Sequence, residues 1–205
     1  MKILTSEVPL FDNKRNKTVY GLLLEITNHE YITQTSLKWA EQRQDFKRKQ
    51  LATGLPFPEH SHWDWNKKVK SSSDSQTIFA IKYEDEVQGL MLVDYATQLT
   101  KLPPDKGKSI LYIDYIESAP HNQYEIPTRF KWVGVNLLRV AVQCSIDKMC
   151  EGRIGLHALP QAENFYRNKC GLTPVGKDPQ HQNLFYFEFT QKQSQNFLSN
   201  NITRT

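Results

Sequence analysis

The chain has 205 residues, 39% hydrophobic and 23% charged, the mix of a globular domain of ordinary size. This composition excludes a disordered chain, a collagen-like fibre and a disulfide-stapled miniprotein. The net charge of +4 suits an anionic ligand such as a nucleotide but falls short of a nucleic-acid-binding signature.

In chain order, the start MKILTSEVPLFDNKRNK has neither a long apolar core nor a small-residue cleavage site. No signal peptide is expected, no apolar run is long enough for a spanning helix, and the expected location is the cytoplasm. Residues 18–27, TVYGLLLEIT, read as a buried strand. Residues 34–53 read as a charged surface helix anchored by Leu37, Ala40, Phe46 and Leu51 and stopped by Gly54, Pro56 and Pro58. An aromatic patch, His60-Ser-His-Trp-Asp-Trp65, precedes Lys67, Lys68 and Lys70 and a hinge-like serine loop at 71–73.

QTIFAIKYED and QGLMLVDYAT then read as two strands joined through Glu84-Asp-Glu86, and residues 102–108 as a loop. SILYIDYIES, 109–118, is the clearest strand, ended by Pro120. Residues 135–150 are helical, with Leu138, Val142, Ser145 and Met149 on one face. RIGLHAL is a strand, 161–168 a short helix closed by Gly171, QNLFYFEFT a last strand, and the tail from Gln191 is polar and frayed. The order predicts an α/β (α+β layered) domain with a mixed sheet. One domain is expected over 1–190, with 76–190 as its core, 18–75 shaping a second ligand's side, and 191–205 as a tail.

Cys144, Cys150 and Cys170 form no Cys-x-x-Cys pair and read as buried thiols in a reducing compartment. Three further segments stand in fixed order: Ile116-Glu-Ser118-Ala-Pro120, Arg129-Phe-Lys-Trp-Val-Gly134, and Ala162-Glu-Asn-Phe165-Tyr166 followed by Gly171-Leu172. The second lies between a strand and a helix start. Unpaired backbone N–H groups and the positive end of the helix dipole favour phosphate oxygens there, Gly134 permits close approach, and Arg129 and Lys131 add charge.

Together the three segments resemble the signature of the GCN5-related N-acetyltransferase (GNAT) superfamily, over residues 76–190. The resemblance implies a mostly antiparallel sheet flanked by helices and splayed between the motif strand and the next one. It implies acetyl-CoA as cofactor, its pyrophosphate held by the loop Arg129, Phe130, Lys131, Trp132, Val133 and Gly134. Its pantetheine arm would pair with the backbone of Ile116 and Ser118. Trp132 departs from the pattern, standing where the family has its first glycine.

The resemblance further implies that Tyr166 protonates the departing thiolate, a phenol of pKa ~10 being matched to that task. Glu117 or His157 would take the acceptor amine's proton, with Asp114 a weaker candidate. The activity expected is direct acetyl transfer to a primary amine; the alternatives are a catalytically inactive CoA-binding, sensing or protein-interaction module, and an RNA-associated enzyme. The partner expected is a small-molecule or peptide amine, with no membrane, no nucleic acid, and a homodimer left open. Trp63 and Trp65, with Asp64 and Glu59, either pack on the core or cradle a cationic amine. No metal is expected, since His60 and His62 lack a third ligand, and Cys170 lacks an adjacent base.

Overall fold

The computed structural model describes residues 2–51, 59–70, 73–123 and 128–200. The chain divides into two compact units, Met1–Leu90 with Glu117–Gly134, and Met91–Ile116 with Val135–Thr205.

In the first unit, β1 (Lys2–Asp12) and β2 (Lys17–Ile26) form an antiparallel hairpin, and β2 pairs antiparallel with β3 (Gln76–Tyr83). β2 alternates between buried Val19, Leu23 and solvent-facing Tyr20, Leu22, the period-two pattern of a strand with one covered face. The sequence reading missed β1, whose polar residues mask its alternation. A turn of Glu84 and Asp85, with Glu84 at φ +52°, leads into β4 (Glu86–Leu99).

Helix α1 (His29–Leu51) starts earlier than expected and turns a different face inward. Ile32, Trp39 and Arg43 are buried along one stripe, while Leu37, expected as an anchor, is 60% exposed and Ala40 faces solvent. The proposed stop at Gly54, Pro56 and Pro58 and the serines at 71 and 72 lie outside the described residues. Helix α2 (Trp65–Lys70) buries Trp65 and Val69 and packs on α1. A two-residue strand, β6 (Phe130–Lys131), pairs with the end of β1, Phe11 opposite Lys131 and Asp12 opposite Phe130.

In the second unit, β5 (Ser109–Ser118) pairs in parallel with β7 (Ile154–Ala158), which pairs antiparallel with β9 (Leu184–Phe189). β8 (Thr173–Asp178), unforeseen because Pro174 and Gly176 break its pattern, closes that edge against β9. Helix α3 (Val133–Asp147) buries Leu138, Val142 and Ser145 as expected. Met149 does not join them: the helix ends at Asp147, and Met149 has φ +61° and is 86% exposed. The residues from Gln191 are not frayed but form helix α4 (Gln191–Ser199). Thr190 accepts from the Gln193 N–H while the Gln193 side chain accepts from the Thr190 N–H, a reciprocal cap at the helix start.

The strand order is β6-β1-β2-β3-β4-β5-β7-β9-β8, a mixed and mostly antiparallel sheet with helices, as expected. Among the described residues no helix is long and apolar enough to cross a membrane. The three cysteines are buried thiols.

Candidate functional site

The parallel ladder between β5 and β7 ends early. Its pairs are Leu111↔Ile154, Tyr112↔Gly155 and Ile113↔Leu156, yet β5 continues to Ser118 and β7 to Ala158. β7 stays paired with β9 through Ala158, so it is the side toward β5 that opens. Strand edges that part in this way leave backbone donors and acceptors for an extended ligand.

Tyr166 sits in a π-helical turn, Phe165–Cys170, in the same unit. Its carbonyl accepts from the Leu172 N–H at 3.0 Å, and Gly171, at φ +80°, closes the turn in the left-handed conformation that glycine adopts freely. The Tyr166 ring is buried against Phe165 and Phe187. Burial pushes its phenol up, so Tyr166 holds its proton at neutral pH.

His157, on β7, has both ring nitrogens engaged: Nδ1 lies 2.7 Å from Tyr112 Oη and Nε2 lies 3.2 Å from Asp178 Oδ2. Burial and the neighbouring His181 push its pKa down, so the ring is neutral at pH 7. Asp114 is half-buried on β5.

In the first unit, Glu117 is buried with both carboxylate oxygens engaged. Oε1 accepts from Arg43 at 2.6 Å and Oε2 from the Trp65 indole at 2.7 Å. Through these bonds Glu117 ties α1 and α2 to the end of the motif strand. His60 Nε2 approaches Gln123 at 2.6 Å and Glu117 at 3.7 Å, which places it with this anchor.

Past the motif strand, buried Gln88 accepts from Asn122 at 3.1 Å and shares a 2.8 Å hydrogen bond with His121, while its carbonyl accepts from the Ala119 N–H. Asn122 in turn accepts from the Phe130 N–H at 3.0 Å. The Phe130 N–H thus has a partner within the chain, and its side chain is buried. Arg129 is also redirected: its guanidinium faces Glu86 at 3.6 Å and Glu84 at 3.9 Å. The Ser118 carbonyl, expected to pair with a pantetheine amide, accepts from the Gln123 side chain, while Ile116 is half-buried on the motif strand.

What remains is exposed Lys131 and then Trp132 ahead of α3, with Val133 and Gly134 in its first turn. Trp132 has φ +75°, a left-handed conformation that bulky residues rarely adopt, and its ring packs on Phe11 at 5.5 Å. The tryptophan thus keeps the backbone geometry that a glycine would supply at this position. In the first unit, that retained geometry and the cation at Lys131 fit the phosphates of an anionic cofactor such as acetyl-CoA.

The aromatic patch divides. Trp65 is fully buried and packs on the core, the first of the two alternatives. Trp63 lines a groove of about 550 Å³ with Asp64, Arg43 and Lys47, but the Lys68 ammonium already lies 4.1 Å over its ring. Burial, the largest influence, pulls Lys68 down to about 8. Glu59 is exposed. Cys170 is buried, and burial raises its thiol to about 12, which makes it a poor nucleophile. Sequence reasoning missed Arg43, hidden in a uniformly charged run, and Asp178 and His181, which lie far from His157 in the chain.

No family model matches this chain, and no curated protein matches it in sequence. Solved structures match its fold. One is an uncharacterized protein from Bacillus halodurans, with 12% identity, 95% of each chain covered and a TM-score of 0.53. Another is FeeM, an N-acyl amino acid synthase from uncultured soil microbes, with 12% identity over 84% of this chain and 90% of that one, TM-score 0.52. A third is described as histone acetyltransferase HPA2 and related acetyltransferase from Corynebacterium glutamicum, with 15% identity over 82% of this chain and 94% of that one, TM-score 0.50.

Proposed function

This chain has the fold of the GCN5-related N-acetyltransferases, and on that fold we propose that it transfers an acetyl group from acetyl-CoA directly to a primary amine. The observation that carries the reading is the early end of the β5–β7 ladder, which leaves a strand edge for a pantetheine-like arm. Acetyl-CoA supplies the activated acyl group as a thioester. Backbone groups at Ile116 and the Ser118 N–H orient it, the Ser118 carbonyl being held by the Gln123 side chain. Lys131 and the N–H groups of Trp132, Val133 and Gly134 bind its phosphates, while Arg129 holds the β3–β4 turn. Tyr166 holds a proton at Oη, which burial retains until a thiolate departs.

The acceptor attacks as its neutral fraction, and the proton its nitrogen sheds as the amide forms passes to Glu117 or His157, directly or through water, while Tyr166 gives its own proton to the departing thiolate. The rate then rises with pH through the acceptor's own pKa. An α-amino group, near ~8, outcompetes a lysine-type amine, near ~10.4, at neutral pH. The acceptor is a small molecule or a peptide amine. A second reading, a CoA-binding module without transfer activity, is favoured by the engagement of Arg129 with Glu84 and Glu86.

Calorimetric titration with acetyl-CoA tests both. The transferase reading expects binding that Lys131→Ala weakens, and thiol release with an amine that Tyr166→Phe abolishes while binding survives. Binding without release under any amine selects the second reading. Absence of binding at ~1 mM, weaker than about −4 kcal/mol, overturns both.

A further inference from the structure

In the second unit, three potential ligand atoms converge at the end of β7 and the turn that follows β8. They are His157 Nε2, Asp178 Oδ2 and His181 Nδ1, all within 4.8 Å of one another. Both imidazole nitrogens lie 3.2 Å from the same carboxylate oxygen. The two rings stack at 3.9 Å between centroids and 13° between planes, so their nitrogens meet Asp178 from one side. We propose that His157, Asp178 and His181 form a binding site for a divalent transition-metal ion.

The spacing supports this. An ion held at about 2.05 Å from each of three tetrahedral ligands separates those ligands by roughly 3.3 Å, and octahedral ligands by roughly 2.9 Å. The two nitrogen–oxygen separations of 3.2 Å fall between these values, and the exposed His181 ring has only to turn out of its stack on His157 for both in-plane lone pairs to converge on one ion. Two imidazoles and one carboxylate select zinc, cobalt, nickel or ferrous iron over magnesium or calcium, which prefer all-oxygen sites.

The surroundings are those of a ligand site. Tyr112 Oη, 2.7 Å from His157 Nδ1, can accept a hydrogen bond from Nδ1–H and so leave Nε2 with its lone pair toward the ion. The second Asp178 oxygen accepts from the Gln180 N–H at 2.9 Å, which fixes the carboxylate. His181 is 43% exposed, giving the ion an entry path and leaving its remaining positions to water. Lys101 Nζ, 3.6 Å from Asp178 Oδ2 and half exposed, is the cation the metal replaces; its chain is long enough to turn into solvent. The bound ion ties the turn after β8 to β7.

The proposal is independent of acetyl transfer, and its test reads the metal alone. The full chain, free of any affinity tag, is titrated with cobalt(II) and followed by its visible d–d absorption. The expected result is one saturating equivalent, displaced by zinc, with the bands lost in His181→Ala and Asp178→Asn and retained in His62→Ala. Tyr112→Phe weakens binding about 10-fold by releasing the His157 ring. His181 sits at an exposed turn, so His181→Ala with an unchanged far-ultraviolet circular dichroism spectrum decides the matter even if Asp178→Asn unfolds the chain. Absence of bands in the wild type, or bands that survive His181→Ala, overturns the proposal.

Discussion

At the scale of single residues, Trp132 is the most informative position. A bulky residue in the left-handed region stores conformational strain of roughly 1–3 kcal/mol, which contacts elsewhere must offset. Here the offset is ring packing on Phe11. Alanine at this position keeps most of the strain and loses the ring; glycine loses both. Trp132→Gly is therefore expected to be more stable than Trp132→Ala by about 1 kcal/mol, measured by urea denaturation. Equal stabilities would mean that the left-handed conformation is not held in solution.

Between elements, one buried ion pair joins α1 to the motif strand. Arg43 and Glu117 have side chains 8% and 1% exposed, so removing the guanidinium strands a carboxylate away from water. Arg43→Ala is expected to cost about 3–5 kcal/mol of stability, and Arg43→Met combined with Glu117→Gln to recover most of that loss. The amide oxygen introduced by Glu117→Gln can still accept from the Trp65 indole. At the other end of the chain, α4 depends on its reciprocal cap, and Thr190→Ala is expected to cost about 1 kcal/mol by the same measurement.

For the molecule as a whole, the mild positive charge agrees with an anionic cofactor but does not select one. The fold narrows the chemistry and leaves the acceptor to the site's own residues. Under the proposed function, CoA at a hundred times its dissociation constant stabilises the native chain by about 2.7 kcal/mol. This raises the thermal midpoint by roughly 5–10 °C. An unchanged midpoint at saturating CoA would count against the cofactor assignment.

The sequence by itself determined the strands that are apolar and alternating, such as β2 and β5, and the ordered motif segments at 116–120, 129–134 and 162–172. It also indicated the departure at Trp132, because local periodicity and turn residues are written in adjacent positions. It hid β1 and β8, whose polar residues, proline and glycine break the period, and it placed the wrong face of α1 inward, since a helix of mostly charged residues carries no apolar stripe to read. It could not see α4 as a helix until the Thr190–Gln193 cap was visible. Only the tertiary structure decided which candidates have their polar atoms committed. Glu117 is closed by Arg43 and Trp65, Phe130 by Asn122, and His157 by Tyr112 and Asp178, through partners from 8 to 74 positions away. Such pairings depend on packing across strands and helices, and no local pattern encodes them.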